Sequence, residues 1–461
     1  MSTPRVEASG AVFPRDFRRS YPIAVRGEGV YLYDEAGKQY LDACAGAAVV
    51  SIGHGVQEIV DAMARQASQL AYAHSSQFHT RAALELAEHL RGKFPGGEDI
   101  RVFFTSGGSE ATETAIKIAR QYWLSRNEPQ RERMVARWHG YHGATMGALG
   151  LSGNRRRREA YRSLLAPVDH IVPCFCYRCA LGKSYPSCAV ACADDLERAI
   201  LAGGADTVAA FILEPVVGAT SGAAPPDGYI QRIREICDRY GVLLIADEVM
   251  TGGGRTGKYF AMEHWGVVPD IILLGKGLTS GYAPLGAVLV REHVWQAIAR
   301  GGGSLEHGFT YQCHPPSVAA GLAVQRYIDA HGLVERSRER GEYLAQRLEP
   351  LKAVAGIGDV RGKGLLQVIE LVSDPAAKTP FPPEANVADR VFDALRDRGV
   401  LVYPGKGTAD GFAGDHILIA PPFVIEEREI DFLVEQIEAV AREVTNSNQL
   451  KESGDGRRET W

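Results

Sequence analysis

Asp247 and Lys276, an acid and an amine 29 positions apart, are the two residues whose types and spacing most suggest chemistry. The acid closes an apolar run, Val242-Leu243-Leu244-Ile245-Ala246, which is short and β-branched enough to read as a buried strand. Glu248 follows it directly. A second run, Ile271-Ile272-Leu273-Leu274, ends in Gly275-Lys276-Gly277. Between them lies a glycine-rich loop, Thr251 to Gly257, too permissive in backbone to extend the first strand. Open α/β sheets bind their ligands at the carboxyl ends of parallel strands, and both residues stand at such ends. In isolation an Asp and a Lys would be read as a buried ion pair. At two strand ends they suit pyridoxal 5′-phosphate (PLP). The lysine condenses with the cofactor's aldehyde as a Schiff base, and the carboxylate keeps the pyridine nitrogen protonated so that the ring acts as an electron sink.

The elements that must position this pair follow from the rest of the chain. Val30 to Asp42 reads as a hairpin around Asp34-Glu35-Ala36-Gly37. Helical apolar spacing recurs over Val56–Leu70 and Ala82–Leu90. From about residue 100 to 300, strands alternate with helices, the pattern of βα units on a mainly parallel sheet. Beyond Asp329 a charged helix, Leu333–Leu348, leads into strands near Val360 and over Leu365–Glu370. Helices over Ala385–Arg398 and Glu426–Thr445 follow. The expected class is α/β, with a large, mainly parallel, helix-flanked sheet and a smaller α+β domain built from both termini. The expected boundaries are 1–60 for the N-terminal part of the small domain, 61–329 for the large domain and 330–445 for the rest of the small one. Residues 446–461 read as a mobile polar tail.

Composition narrows the function classes. The chain has 461 residues, enough for a large core and more than one domain. Lysine and arginine number 51 against 56 acidic residues, a net charge of −5, so nothing favours a nucleic-acid partner. No apolar run approaches the roughly 18–20 residues of a membrane span, and Met1–Arg19 lacks the apolar core of a secretory signal. A cytoplasmic location is the expectation.

Phe103-Phe104-Thr105-Ser106-Gly107-Gly108-Ser109-Glu110 leads into a helix expected over Thr112–Tyr122. A Gly/Ser loop at a helix start offers free N–H groups and a favourable dipole to an anion. With this loop upstream, the run Asp247-Glu248-Val249-Met250-Thr251-Gly252, then Gly254-Arg255-Thr256-Gly257, Pro269-Asp270-Ile271 and Gly275-Lys276-Gly277, resembles the signature of class III aminotransferases, the ω-aminotransferase-like PLP enzymes of fold type I. The resemblance extends from about Arg26 to Val444. It implies that Gly108 and Ser109 bind the PLP phosphate, that Tyr141 of Trp138-His139-Gly140-Tyr141-His142-Gly143 stacks on the ring with His142 beside it, and that Val249 packs on the opposite face. Glu214, closing Ile212-Leu213, stands beside the cofactor by the same likeness. Thr310 of Gly308-Phe309-Thr310-Tyr311 reaches the phosphate of a neighbouring subunit, which implies a homodimer with shared sites, or a tetramer.

Departures from the family pattern bear on substrate. Members that grip a second carboxylate carry arginine where this chain has Ala144, and many carry another shortly before the C-terminal Pro-Pro pair, where Leu418 stands. The loss of two bidentate clamps points to terminal amines or ω-amino acids as donors and to pyruvate as acceptor. Arg26 and the run Arg155-Arg156-Arg157-Arg158 are candidate replacements by charge alone, and the run reads as a solvated face. Decarboxylases, aminomutases and racemases of the same fold type are the rival readings, with a non-catalytic PLP-binding module behind them. Cys174, Cys176, Cys179, Cys188 and Cys192 crowd into 19 positions. They read as a reduced loop packing without metal, with a structural zinc site as the alternative.

Overall fold

The computed structural model describes residues 11–97 and 99–445. The first ten residues of the expected N-terminal segment, and the tail 446–461, lie outside the described residues.

The central layer is a seven-stranded sheet. In chain order its strands are β1 (Arg101–Thr105), β2 (Arg133–Arg137), β3 (Asp169–Ile171), β4 (Val208–Leu213), β5 (Leu243–Asp247), β6 (Ile271–Leu274) and β7 (Gly286–Val290). In space they run β1-β7-β6-β5-β4-β2-β3. β7 is antiparallel to both β1 and β6, and the remaining pairs are parallel. Every residue of β4, β5 and β6 is buried, because helices cover both faces and the runs have no solvent side to alternate toward. The register then builds the site. Leu213 is paired with Ala246 and Asp247 with Leu273, so Glu214, Asp247 and Lys276 emerge from three adjacent strand ends.

Helix α1 (Gly108–Ser125) leaves β1 and buries Ala111, Ala115, Ile118, Ala119 and Tyr122, a stripe at helical spacing. It begins four residues before the expected Thr112, since the Gly/Ser segment itself forms the first turn. The hairpin read from sequence pairs Tyr31–Asp34 with Gln39–Asp42. Val400–Leu401 joins it in parallel at Leu41 and Asp42, so strands from both ends of the chain share one sheet. A second, antiparallel sheet orders Ile357–Lys363, Leu366–Asp374, Asp415–Ile419 and Tyr403–Lys406. Val30 and Leu41 bury into the same hydrophobic cluster as Leu344, Val391 and Ile437 of three C-terminal helices. Among the described residues no helix is long and apolar enough to cross a membrane.

Candidate active site

The adjacent ends of β4, β5 and β6 open into a cavity of about 170 Å³, lined by Gly108, Ser109, Tyr141, Asp247, Val249 and Lys276 among others. His142 and Glu214 complete its wall. Eight of the nine residues singled out from sequence as cofactor contacts therefore meet in one place. Thr310 does not. It is exposed, and its carbonyl accepts the Tyr72 hydroxyl at 2.8 Å.

The acid is held from two sides. Asp247 is 4% exposed; its Oδ2 accepts His142 Nδ1 at 2.7 Å, and its Oδ1 accepts the Val249 N–H at 3.0 Å. The other ring nitrogen of His142 is buried without a partner. Glu214 is fixed by the N–H groups of Tyr141 at 2.8 Å and Gly218 at 2.9 Å. Burial pushes its carboxyl up, partly countered by His142. Glu248, adjacent to Asp247, does different work. Successive strand residues face opposite ways, and Glu248 accepts the Thr251 hydroxyl at 2.5 Å and the N–H groups of Ala261 and Met262 at 2.9 Å. It fastens the short helix Ala261–Trp265, and burial raises its carboxyl to about 7.

The surroundings of the amine favour its neutral form. Burial lowers Lys276 from 10.5 to about 8, against the opposing pull of Asp247 and Glu214. Its φ of +41° lies in the left-handed region that a lysine rarely adopts. Such strain persists where packing over-determines the backbone, and the flanking Gly275 and Gly277 sit tightly against Val249 and Ser51.

The anion end is built from backbone. Gly107 caps α1 with no side-chain hydrogen bond, and the first-turn N–H groups of Gly108 and Ser109 have no acceptor among the described residues. A Cβ on Gly108 would come within 2.7 Å of Val249 Cγ1, so only glycine lets the helix start and the valine close on the same space. Ser109 Oγ accepts the Ala144 N–H at 3.1 Å. This turns back Gly143, whose φ of +135° again suits glycine.

Together these groups offer a nucleophilic amine, an anchored carboxylate, an aromatic face at Tyr141, an aliphatic face at Val249 and an anion-binding helix start. A family model described as aminotransferase class-III matches residues 13–441. The chain belongs to the class III aminotransferases. It is 42% identical to the uncharacterised aminotransferase YodT of Bacillus subtilis (strain 168), over 90% of this chain and 94% of that protein. Two solved structures resemble its fold over nearly their whole lengths. An amine transaminase from an uncultivated Pseudomonas species, in a PLP-bound form, superposes with TM-score 0.89 at 37% identity, covering 96% of this chain and 99% of that one. An (S)-enantioselective ω-transaminase from Thermomicrobium roseum gives 0.88 at 38% identity, covering 95% and 96%. The cofactor of this family is PLP, and the residues present fit it: a half-buried lysine whose amine faces the cavity, a buried carboxylate in its wall and helix-start N–H groups with no acceptor among the described residues, free for a phosphate.

Arg155 and Arg156 of the arginine run are exposed, as the solvated reading expects, while Arg157 and Arg158 are half-buried. Arg157 is not a solvated side chain; its guanidinium lies 4.4 Å from the centroid of the Tyr141 ring. Charge alone carried no signal for this, because Arg155 to Arg158 are alike in sequence. Arg26 is paired with Glu28 on the exposed hairpin. Arg255 is buried, donates to the carbonyls of Leu365 and Pro421, and stacks on Phe423. The cysteines of residues 174–192 are all free. Among the described residues no group of three or more His, Cys, Asp or Glu side chains is arranged to hold a metal ion.

Proposed function

We propose that this aminotransferase moves an amino group from a terminal amine or ω-amino acid to a keto acid such as pyruvate, with Lys276 as the covalent anchor of PLP. Bound PLP supplies the electron sink that stabilises negative charge at the carbon carrying the amine. Asp247, fixed by His142 and Val249, would hold the ring nitrogen in its protonated form. Gly108 and Ser109 would hold the phosphate. Tyr141 and Val249 would fix the ring plane from its two faces. Lys276 Nζ, the amine facing the cavity, would take a proton from the substrate carbon as base and give it up again as acid. A lysine near 8 is suited to both directions around neutral pH. In the second half of the cycle the keto acid receives the amino group by the same residues in reverse.

The observation that carries the substrate reading is the composition of the inner cavity: among the described residues, no arginine or lysine other than Lys276 lines it. Ala144 sits beside it with only a backbone contact to Ser109. Leu418 is wholly buried in its strand, paired with Val368 and Tyr403. An unpaired carboxylate buried there costs several kcal/mol, so a second carboxylate close to the reacting carbon is disfavoured. The test is kcat/KM for pyruvate and for 2-oxoglutarate at one fixed amine donor. Pyruvate at least as good as 2-oxoglutarate is the expected result. A preference for 2-oxoglutarate above tenfold, about 1.4 kcal/mol, overturns this acceptor.

A further inference from the structure

The four arginines of the helix Arg155–Glu159 meet three different surroundings. Arg155 donates to the Asp410 carbonyl at 3.1 Å and lies over Phe412. Arg158 is drawn into the carbonyls of Gly150 and Ser152, each at 2.6 Å. Arg156 and Arg157 face a cleft of about 630 Å³ that also exposes Arg19, Tyr403 and Lys406. Ala219 walls both this cleft and the inner cavity, so the two spaces adjoin at that residue. Lys406 and Arg19 are already paired with Asp389, at 2.5 and 2.8 Å. Neither Arg156 nor Arg157 forms an ion pair with a described residue. Arg157 is nonetheless oriented: its backbone N–H is held by Asn154 Oδ1 at 3.0 Å, its guanidinium covers the Tyr141 ring, and Nη2 donates to the Tyr403 hydroxyl at 3.2 Å. A guanidinium positioned by two aromatic side chains and left without a carboxylate, on the outer side of the ring that bounds the reaction cavity, is prepared for an anion that enters with the substrate. Its charge is also felt at Lys276, where it opposes protonation.

Resting on the transaminase reading above, we propose that Arg157 is the receptor for a carboxylate carried by the amino donor beyond its reacting carbon. The donor class is then ω-amino acids, with the amine at Lys276 and the methylene chain passing Ala219 into the outer cleft. The charge of Arg156, which forms no ion pair with a described residue and lines the same cleft, adds to the attraction at its mouth.

Two measurements on the PLP-loaded enzyme test this. The first is calorimetric titration with hexanoate, which cannot react. Arg157→Met is expected to weaken hexanoate at least tenfold, Arg157→Lys to recover part of the loss, and Arg155→Met, the same charge removed outside the cleft, to bind as the wild type does. The second is the ratio of kcat/KM for 6-aminohexanoate to that for hexylamine, with pyruvate as acceptor. The wild type is expected to favour the amino acid at least tenfold, and Arg157→Met to bring the ratio near one. Equal hexanoate affinity in wild type and Arg157→Met, or a ratio that Arg157→Met preserves, overturns the proposal. If Arg157→Met does not fold, Tyr403→Phe, which removes the positioning hydroxyl, is expected to show a smaller loss in the same direction; no loss there or in Arg157→Lys overturns it. A wild type that moves no amino group from either donor to pyruvate refutes the transaminase substrate reading alone, while the hexanoate titration still decides Arg157.

Discussion

Titrating the capture of PLP by the apoenzyme tests the state of Lys276 quantitatively. Only the neutral amine attacks an aldehyde. Burial depresses this lysine from 10.5 to about 8, and Asp247 and Glu214 only partly offset it. At pH 7 a lysine titrating at about 8 is neutral in roughly one molecule in 11, whereas one at 10.5 is neutral in roughly one in 3,000. Desolvation therefore raises the reactive fraction about 300-fold. Stopped-flow absorbance of the cofactor, recorded from pH 6 to 10, is expected to show a capture rate rising about tenfold per pH unit and levelling near pH 8. Lys276→Ala, which removes the amine, is the control and loses both the covalent signal and turnover. The linkage has a definite sign. The native amine loses its proton near 8 and the unfolded one near 10.5, so between those values the unfolded state holds more protons. Apoenzyme stability then rises with pH across that window, by up to about 3 kcal/mol relative to Lys276→Ala, and the burial penalty is fully present below pH 8. A rate that climbs without a break to pH 10, or borohydride trapping of PLP on another lysine, would falsify the assignment.

Two further outcomes follow from the geometry. Asp247→Asn keeps the shape of the site but removes its buried anion, a change worth a few kcal/mol in the transition state, so kcat is expected to fall roughly 10²–10³-fold with PLP still bound; near-normal kcat contradicts the role. The chain is expected to be a homodimer, since Thr310 stands exposed outside its own cavity, in the segment for which the family resemblance implies contact with a partner's phosphate. Light scattering that finds a fully active monomer at assay concentration refutes this.

The strand ends were legible because buried parallel strands read as unbroken apolar runs, and Asp247 and Lys276 interrupt two of them. What β5 and β6 could not disclose is who faces whom. His142 grips Asp247 from 105 positions away, a meeting made by the sheet order and by the loop after β2 rather than by any local pattern. Asp247 was singled out from sequence, while the neighbouring acid Glu248 was assigned no role. The pleat separates them, sending one to the cavity and the other to the N–H groups of Ala261 and Met262. The start of α1 was misplaced because glycine weakens helix propensity, while here the close approach of Val249 to Gly108 requires it. Arg157 was lost among four like charges for a similar reason: composition assigns a run to solvent, whereas a one-turn helix points each member differently.

These features share an energetic logic. Lys276 carries a buried amine and a left-handed backbone, Glu214 a carboxyl raised by burial, His142 an unpartnered ring nitrogen, and α1 open N–H groups at its start. Each is unfavourable alone, and a backbone or polar defect of this kind costs on the order of 1–3 kcal/mol. They are tolerated because they sit at the rim of β4, β5 and β6, every residue of which is buried, so the sheet resists the local relaxation that would repair them. A ligand that brings an aldehyde to the amine, a basic nitrogen to the carboxylate and a phosphate to the helix start relieves several defects at once, and its binding then stabilises the folded chain by mass action. One ligand of that chemistry satisfies together groups that are each unfavourable alone, which is why residues so unlike one another in chemistry converge on one cavity.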